Sequence, residues 1–404
     1  MITQEQKNLV KATVPILKEN GVLLTTHFYK RMFVHNPELK NVFNMGNQQN
    51  GRQQTALAMA VLAYAENIEN PGVLMPVVDG IGQKHVSLSI RPEHYIIVGE
   101  HLLASISEVL GAAATPEILD AWGVAYSQLA EIMSGYETKL YRQQVEKKGG
   151  WTGWRPFIVK AKVQEPTEIT SFHLYPADGG NVADFTPGQF LSVRLFLPEL
   201  NLLQPRQYSI SNAPNGMYYR ISVKKEISVN PNPDGLISNR LHDFINPGDL
   251  IDVSAPAGTF MLKNENDHPV VFISGGVGQT PLISMLEELI KSGSKKPITW
   301  IHGARNEEVH AFKKLIDYWA EDENVIQKHI FYNNADKQSS PETFYPGWVE
   351  LDILGPELIA ENTDYYICGP APFISKHYNH LITNGIKKEY IHFEEFGPQT
   401  LNLN

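Results

Sequence analysis

Val270-Val271-Phe272-Ile273-Ser274-Gly275-Gly276-Val277-Gly278-Gln279-Thr280-Pro281 decides how this chain folds, because an apolar run enters a glycine-rich turn and leaves it as a helix. Glycines in such a turn let backbone N–H groups approach a pyrophosphate at the helix amino terminus, where the helix dipole favours negative charge. A glycine-rich turn alone is a weak signal. The strand before it and the helix after it strengthen the reading.

Outward from that turn, strand and helix alternate after Asp267-His268-Pro269. Strands are predicted at 270–274, 298–302 and 365–368, and helices at 282–290, 308–319 and 373–383, the pattern of a parallel α/β sheet. The segment 333–346 reads as a polar loop. Upstream, short alternating runs at 157–163, 169–174, 190–196, 218–223 and 250–253 are separated by turns such as Asp178-Gly179-Gly180 and Pro247-Gly248-Asp249. They predict a small antiparallel β-barrel with one helix, 236–245. From Thr3 to Glu146 apolar residues recur at three and four, as in Val22, Leu23, Phe28, Met32 and Phe33, so this third is all helix. Thr115-Pro116 reads as an N-cap with proline at the first helical position, one start among roughly seven. The expected organisation is an all-α domain (1–146), a linker (147–155) opening on Lys147-Lys148-Gly149-Gly150, an antiparallel β-barrel domain (156–266) and an α/β parallel-sheet domain (267–404).

Bulk properties agree. The 404 residues exceed what one hydrophobic core organises, and 42% hydrophobic with 19% charged residues suits ordinary globular domains. A formal net charge of −10 opposes attraction to nucleic acid and anionic membranes, leaving small molecules as expected partners. The single cysteine, Cys368, excludes an intramolecular disulfide and a four-cysteine metal site, which suits a reducing cytoplasm. Residues 1–21 lack the apolar core of a signal peptide, and no uninterrupted apolar run has the ~18 residues of a membrane span. A cytoplasmic monomer without stable membrane association is expected.

Further motifs carry chemistry. Arg206-Gln207-Tyr208-Ser209 offers a phosphate partner and a ring that packs on a flat heterocycle, and Gly235-Leu236-Ile237-Ser238 opens the lone helix with free N–H donors. Taken singly these are a surface arginine and a helix cap. With Cys368-Gly369-Pro370 and Phe393-Glu394-Glu395-Phe396-Gly397-Pro398 they form an ordered set that resembles the ferredoxin-reductase family of flavoproteins. In the helical third, His85 stands four residues after Ile81 on the face bearing Val77 and Val78, a position more often filled by a core histidine than by a ligand. Its neighbours change that reading. His27 to Phe33, Asn36 to Leu39, Phe43-Asn44-Met45, Gln53, Leu57, Gln83-Lys84-His85, Val98 to Leu103 and Trp122 to Tyr126 closely resemble the globin domain of bacterial and yeast flavohaemoglobins. The resemblance spans essentially the whole chain.

The resemblance implies haem b, FAD and NADH or NADPH as cofactors, with NO and O2 as the other small-molecule partners. By it His85 is the proximal iron ligand, Phe43, Gln53 and Leu57 line the haem pocket, and Tyr29 donates to bound oxygen. Tyr95 and Glu137 stand behind His85, where a carboxylate on the ring N–H strengthens the imidazole. Phe190, Arg206, Gln207, Tyr208, Ser209, Ser238, Glu395, Phe396, Gly397 and Pro398 bind FAD. Gly276, Val277, Gly278, Gln279, Thr280, Pro281, Cys368, Gly369 and Pro370 hold the nicotinamide nucleotide, and Lys84 and Glu394 tune redox potentials between the domains. Glu395 departs from the family, which has a small residue there. The implied activity is NAD(P)H-dependent nitric oxide dioxygenation. A haem-based oxygen or redox sensor, and an oxygen carrier with its own ferric-haem reductase, remain as alternatives. Coenzyme preference stays open, since Arg305 after the second strand offers a cation to a 2′-phosphate while Glu307 and Glu308 follow it.

Overall fold

Thr3 caps the first helix, its hydroxyl accepting from Gln6 N–H while the Gln6 side chain returns to the Thr3 N–H. In the computed structural model, which describes residues 2–227, 234–263, 266–322, 326–335 and 344–397, seven α-helices follow one another. They are α1 (Gln4–Ala12), α2 (Val14–His35), α3 (Met45–Gln49), α4 (Arg52–Glu66), α5 (Met75–Ser87), α6 (Pro92–Leu110) and α7 (Pro116–Glu146). Thr115 caps α7 by accepting from Ile118 N–H at 3.4 Å. The core face of α2 runs through Leu24, Phe28, Met32 and Phe33, whereas Val22 and Leu23 are exposed. Helix α6 and the turn after it (Pro92–Ala113) are long and apolar enough by composition to cross a membrane, and α6 packs instead against α2 and α7.

Helix α5 begins at Met75. A tight turn, Pro71–Leu74, precedes it, and its buried face is Val78, Gly82 and Val86. Val73 and Val77 are exposed, and Ile81 and His85 are only half-buried. Protein covers one stripe of α5 and leaves the stripe carrying His85 partly open.

The second unit is a six-stranded antiparallel sheet of β1 (Trp154–Gln164), β2 (Ile169–Pro176), β3 (Phe190–Leu197), β4 (Leu202–Ser209), β5 (Tyr219–Lys224) and β6 (Leu250–Ser254), in the order β4-β3-β6-β1-β2-β5. An Ile210–Ile221 bridge closes it into a barrel. Helix α8 (Leu236–Phe244) plugs one end through Ile237 and Leu241. Strand β4 lies in no predicted element; the motif Arg206 to Ser209 occupies it, and Gln204 and Pro205 break its alternation.

The third unit holds β7 (Val270–Gly275), α9 (Gln279–Lys291), β8 (Ile298–Ala304), α10 (Lys313–Asp322), β9 (Ile326–Tyr332), β10 (Tyr345–Pro346), β11 (Asp364–Gly369), α11 (Ala371–Thr383) and β12 (Ile391–Glu395). All pair in parallel, in the order β10-β9-β8-β7-β11-β12. Helices α9 and α10 cover one face over Phe272 and Trp300, and α11 covers the other over Ile273 and Ile367. Helix α10 starts five residues later than the predicted 308. Asn306 caps a separate short turn, Glu307–Val309, and Phe312 takes φ +59 before the helix begins. Strands β9 and β12 are also unpredicted, and Tyr345–Pro346 of the expected polar loop joins the sheet edge.

Helix α5 docks on the barrel. Val86 and Leu140 pack with Ala257 and Phe190, Ser87 Oγ meets Ser192 Oγ at 2.9 Å, and Gly258 N–H donates to Gln83 Oε1 at 3.1 Å.

Candidate functional site

His85 sits on the last turn of α5. Its Nδ1 lies 2.7 Å from Glu137 Oε1 on α7, and the Tyr95 hydroxyl of α6 donates to the same oxygen at 2.5 Å. An ionised carboxylate only accepts, so the Nδ1 proton points at Glu137 and the Nε2 lone pair is left for a metal. Glu137 is 2% exposed, so its carboxylate is held for His85 and Tyr95 rather than for solvent. Burial foremost, with the Glu137 charge beside it, pushes the Tyr95 phenol far up, so it is a proton donor throughout the physiological range. Tyr126 fixes Tyr95 by donating to its carbonyl at 2.6 Å, and a Cβ at Gly99 would collide with the Tyr126 ring.

On α2, Tyr29 packs its ring against Phe28, Phe33 and Phe43 at centroid distances of 4.9, 5.9 and 5.7 Å. Burial pushes its phenol up to about 12, against hydrogen bonds from Gln53 and Gln48 that lower it. It therefore remains a neutral O–H donor. Gln48 is not among the sequence candidates; its signal is the pair Gln48-Gln49, at the end of α3 and five residues before Gln53-Gln54. Leu57 lines an apolar cavity of about 60 Å³ with Phe28, Val61, Leu102 and Trp122.

In the barrel, Arg206 is a mostly buried cation. Its Nη1 donates to the Pro205 carbonyl at 2.6 Å, no carboxylate pairs with it among the described residues, and burial lowers it to about 10. A buried charge without a counter-charge is costly, so this position fits an anionic group such as a pyrophosphate. Tyr208 packs on the barrel core, and Gln207 Nε2 donates to Ser192 Oγ at 3.2 Å. Ser209 pairs in register with Phe190, whose ring lies over Gly258. Ser238 lies in the first turn of α8, where its hydroxyl donates to the Gly235 carbonyl at 2.9 Å.

In the parallel sheet, Gly276 takes φ +56 and Gly276–Gly278 form one tight turn into α9. A Cβ at Gly278 would collide with the Cys368 carbonyl, so the glycine-rich turn and Cys368-Gly369-Pro370 touch. Val277 is half-buried beside the core, and Thr280 Oγ1 donates to its carbonyl at 3.1 Å. Gln279 and Pro281 are buried, and neither carboxamide atom of Gln279 has a protein partner. The Cys368 thiol is fully buried and pushed well up by burial, which makes it inert rather than nucleophilic.

The end of β12 joins the three units. Glu394 pairs in register with Cys368 and Glu395 with Gly369. Lys84 Nζ donates to the Gly397 carbonyl at 2.9 Å; burial lowers it while Glu394 and Glu395 raise it. Burial pushes Glu394 up to about 7, with Lys84 opposing. Phe396 is 41% exposed, and Pro398 lies outside the described residues.

This is the class of protein that couples a globin to a flavin- and nicotinamide-binding reductase on one chain. The globin family model matches residues 26–133 and the oxidoreductase NAD-binding domain model matches 272–378. The chain is 50% identical over 401 residues to the flavohemoprotein of Bordetella parapertussis, covering 98% of this chain and 99% of that one. It is 48% identical to that of Rhizobium meliloti over the same span. The flavohemoglobin of Malassezia yamatoensis, solved with bound FAD and heme, superposes with a TM-score of 0.86 at 25% identity over 98% of this chain and 100% of that one. The FAD/NAD-binding domain of nitric oxide dioxygenase from Vibrio cholerae matches 60% of this chain and 99% of its own at 36% identity and a TM-score of 0.55. The chain belongs to the flavohaemoglobin family, an oxidoreductase that binds haem, FAD and a nicotinamide nucleotide.

Proposed function

We propose that the protein is an NAD(P)H-dependent nitric oxide dioxygenase, converting NO and O2 to nitrate. The observation that carries this reading is a pair of hydrogen-bonded groups in the globin unit, His85 backed by Glu137 and Tyr29 held by Gln53 and Gln48. When bound, FAD supplies the conversion of a two-electron hydride into single electrons, and haem supplies the iron chemistry at which O2 and NO combine. The remaining work belongs to side chains. His85 would hold the iron through Nε2, with Glu137 and Tyr95 making the imidazole a stronger donor and favouring oxygen activation over storage. Tyr29 would donate its hydroxyl proton in a hydrogen bond to the negative end of a polarised diatomic, retaining oxygen long enough to react. Arg206, Tyr208 and Ser238 would position the flavin, and the turn at Gly276–Gly278 the dinucleotide.

A ferric-reducing oxygen carrier and a haem sensor share these groups, so turnover separates the readings. Nitric oxide added to the air-equilibrated, NADH-reduced protein should disappear rapidly, two molecules per nicotinamide oxidised. Decay no faster than in buffer would leave only a carrier or sensor. His85→Ala should abolish this consumption while flavin-dependent reduction of artificial acceptors persists; loss of both would overturn the assignment of roles.

A further inference from the structure

We propose that Glu168, on the turn between β1 and β2 of the barrel, determines coenzyme selectivity by holding Arg305, so that the nucleotide site disfavours a 2′-phosphate and takes NADH. The inference rests on the nicotinamide-binding reading and not on the nitric oxide step.

Arg305 is the first residue after β8, the second strand from the glycine-rich turn, where a parallel nucleotide-binding sheet meets the adenosine ribose. A guanidinium there is the natural partner of a 2′-phosphate, through paired N–H bonds. In this chain its Nη2 is already ion-paired to the Glu168 carboxylate, which arrives from the other domain. The pairing is built in on both sides. Thr167 takes φ +39, and its hydroxyl donates to the Glu308 carbonyl at 2.8 Å. The Glu168 carbonyl accepts from Lys225 N–H at 2.8 Å, and the Arg305 carbonyl accepts from Asn334 N–H at 2.9 Å. Of the nearby cations, Lys313 is taken by Glu307 at 3.4 Å and Asp317 at 2.8 Å. A dianionic 2′-phosphate would have to displace Glu168 and then sit beside Glu307 and Glu308, whereas a ribose hydroxyl would not.

The side chains of Arg305 and Glu168 are 56% and 29% exposed, so the pair is a weak one and the discrimination is several-fold rather than absolute. Calorimetric titration of the haem- and FAD-loaded protein with adenosine 2′,5′-bisphosphate and with 5′-AMP reads it directly. Glu168→Gln should tighten the bisphosphate on the order of threefold to tenfold and leave 5′-AMP unchanged. Adding Arg305→Gln should erase the gain. Anaerobic bleaching of the flavin by NADPH, relative to NADH, should follow the same order. An unchanged bisphosphate affinity in Glu168→Gln would overturn the proposal, as would a gain that survives Arg305→Gln. None of these readings involves nitric oxide, so the failure of either proposal leaves the other standing.

Discussion

At the scale of residues, the decisive contacts are charge-assisted hydrogen bonds to buried carboxylates. Tyr95→Phe removes the donor that shares Glu137 with His85, and such a bond is worth about 1.5–3 kcal/mol. Denaturant unfolding of the globin unit, followed through the Soret band, should lose about that much. The variant should also show a higher-frequency Fe–His stretch than Glu137→Gln, because only the latter removes the charge behind the imidazole. A second residue effect concerns acid. Burial, with Lys313 and Lys328 adding to it, pushes His310 down from 6.5 to about 3, so it is neutral in the native protein. The unfolded chain takes up that proton below about 6.5, so the stability it confers is present above that pH and is lost as pH falls toward 3. His310→Gln keeps a partner for the Tyr332 hydroxyl and cannot titrate. Its thermal midpoint should fall less steeply between neutral and acid pH than that of the parent protein.

At the scale of elements, legibility followed local pattern. The seven helices, the barrel strands with strict alternation and the β7-turn-α9 unit were all visible, because burial on one face imposes a period that sequence displays. Strand β4 was not, since Pro205 interrupts its pattern and the strand is stabilised by pairing with β3 instead. Helix α10 was read too early because the apolar pair Ala311 and Phe312 continues its pattern into a loop that is buried without being helical. The stripe on α5 that includes Val77 and His85 was legible as apolar, although the protein itself leaves Val77 exposed and His85 half-buried. Gly278 states the same point for the turn: glycine is required there because the Cys368 carbonyl occupies the space of a Cβ. Gly278→Ala should weaken NADH binding about tenfold or more, as expected when a phosphate-cradling backbone shifts, and leave the Soret spectrum untouched.

At the scale of the whole molecule, function depends on contacts that no single domain displays. Tyr29, Phe43 and Gln53 could be gathered from one helical third, but Lys84 meeting Gly397, and Arg305 meeting Glu168, arise only when distant segments dock. Such pairs leave no period in the sequence. Gln204 is another: fully buried, it accepts from Met45 N–H at 3.1 Å and donates to the Lys40 carbonyl at 2.7 Å, stitching barrel to globin. Gln204→Leu strands both backbone groups at a cost of about 1–3 kcal/mol each. The segment 147–155 should then be cleaved faster by a protease, with haem and flavin spectra unchanged. Docking serves one chemical end, which isotopes test most directly. Nitrate formed from unlabelled nitric oxide under ¹⁸O₂ with NADH should carry both atoms of the oxygen molecule. Nitrate with one labelled atom or none, or NADH oxidation without nitrate, would contradict dioxygenation.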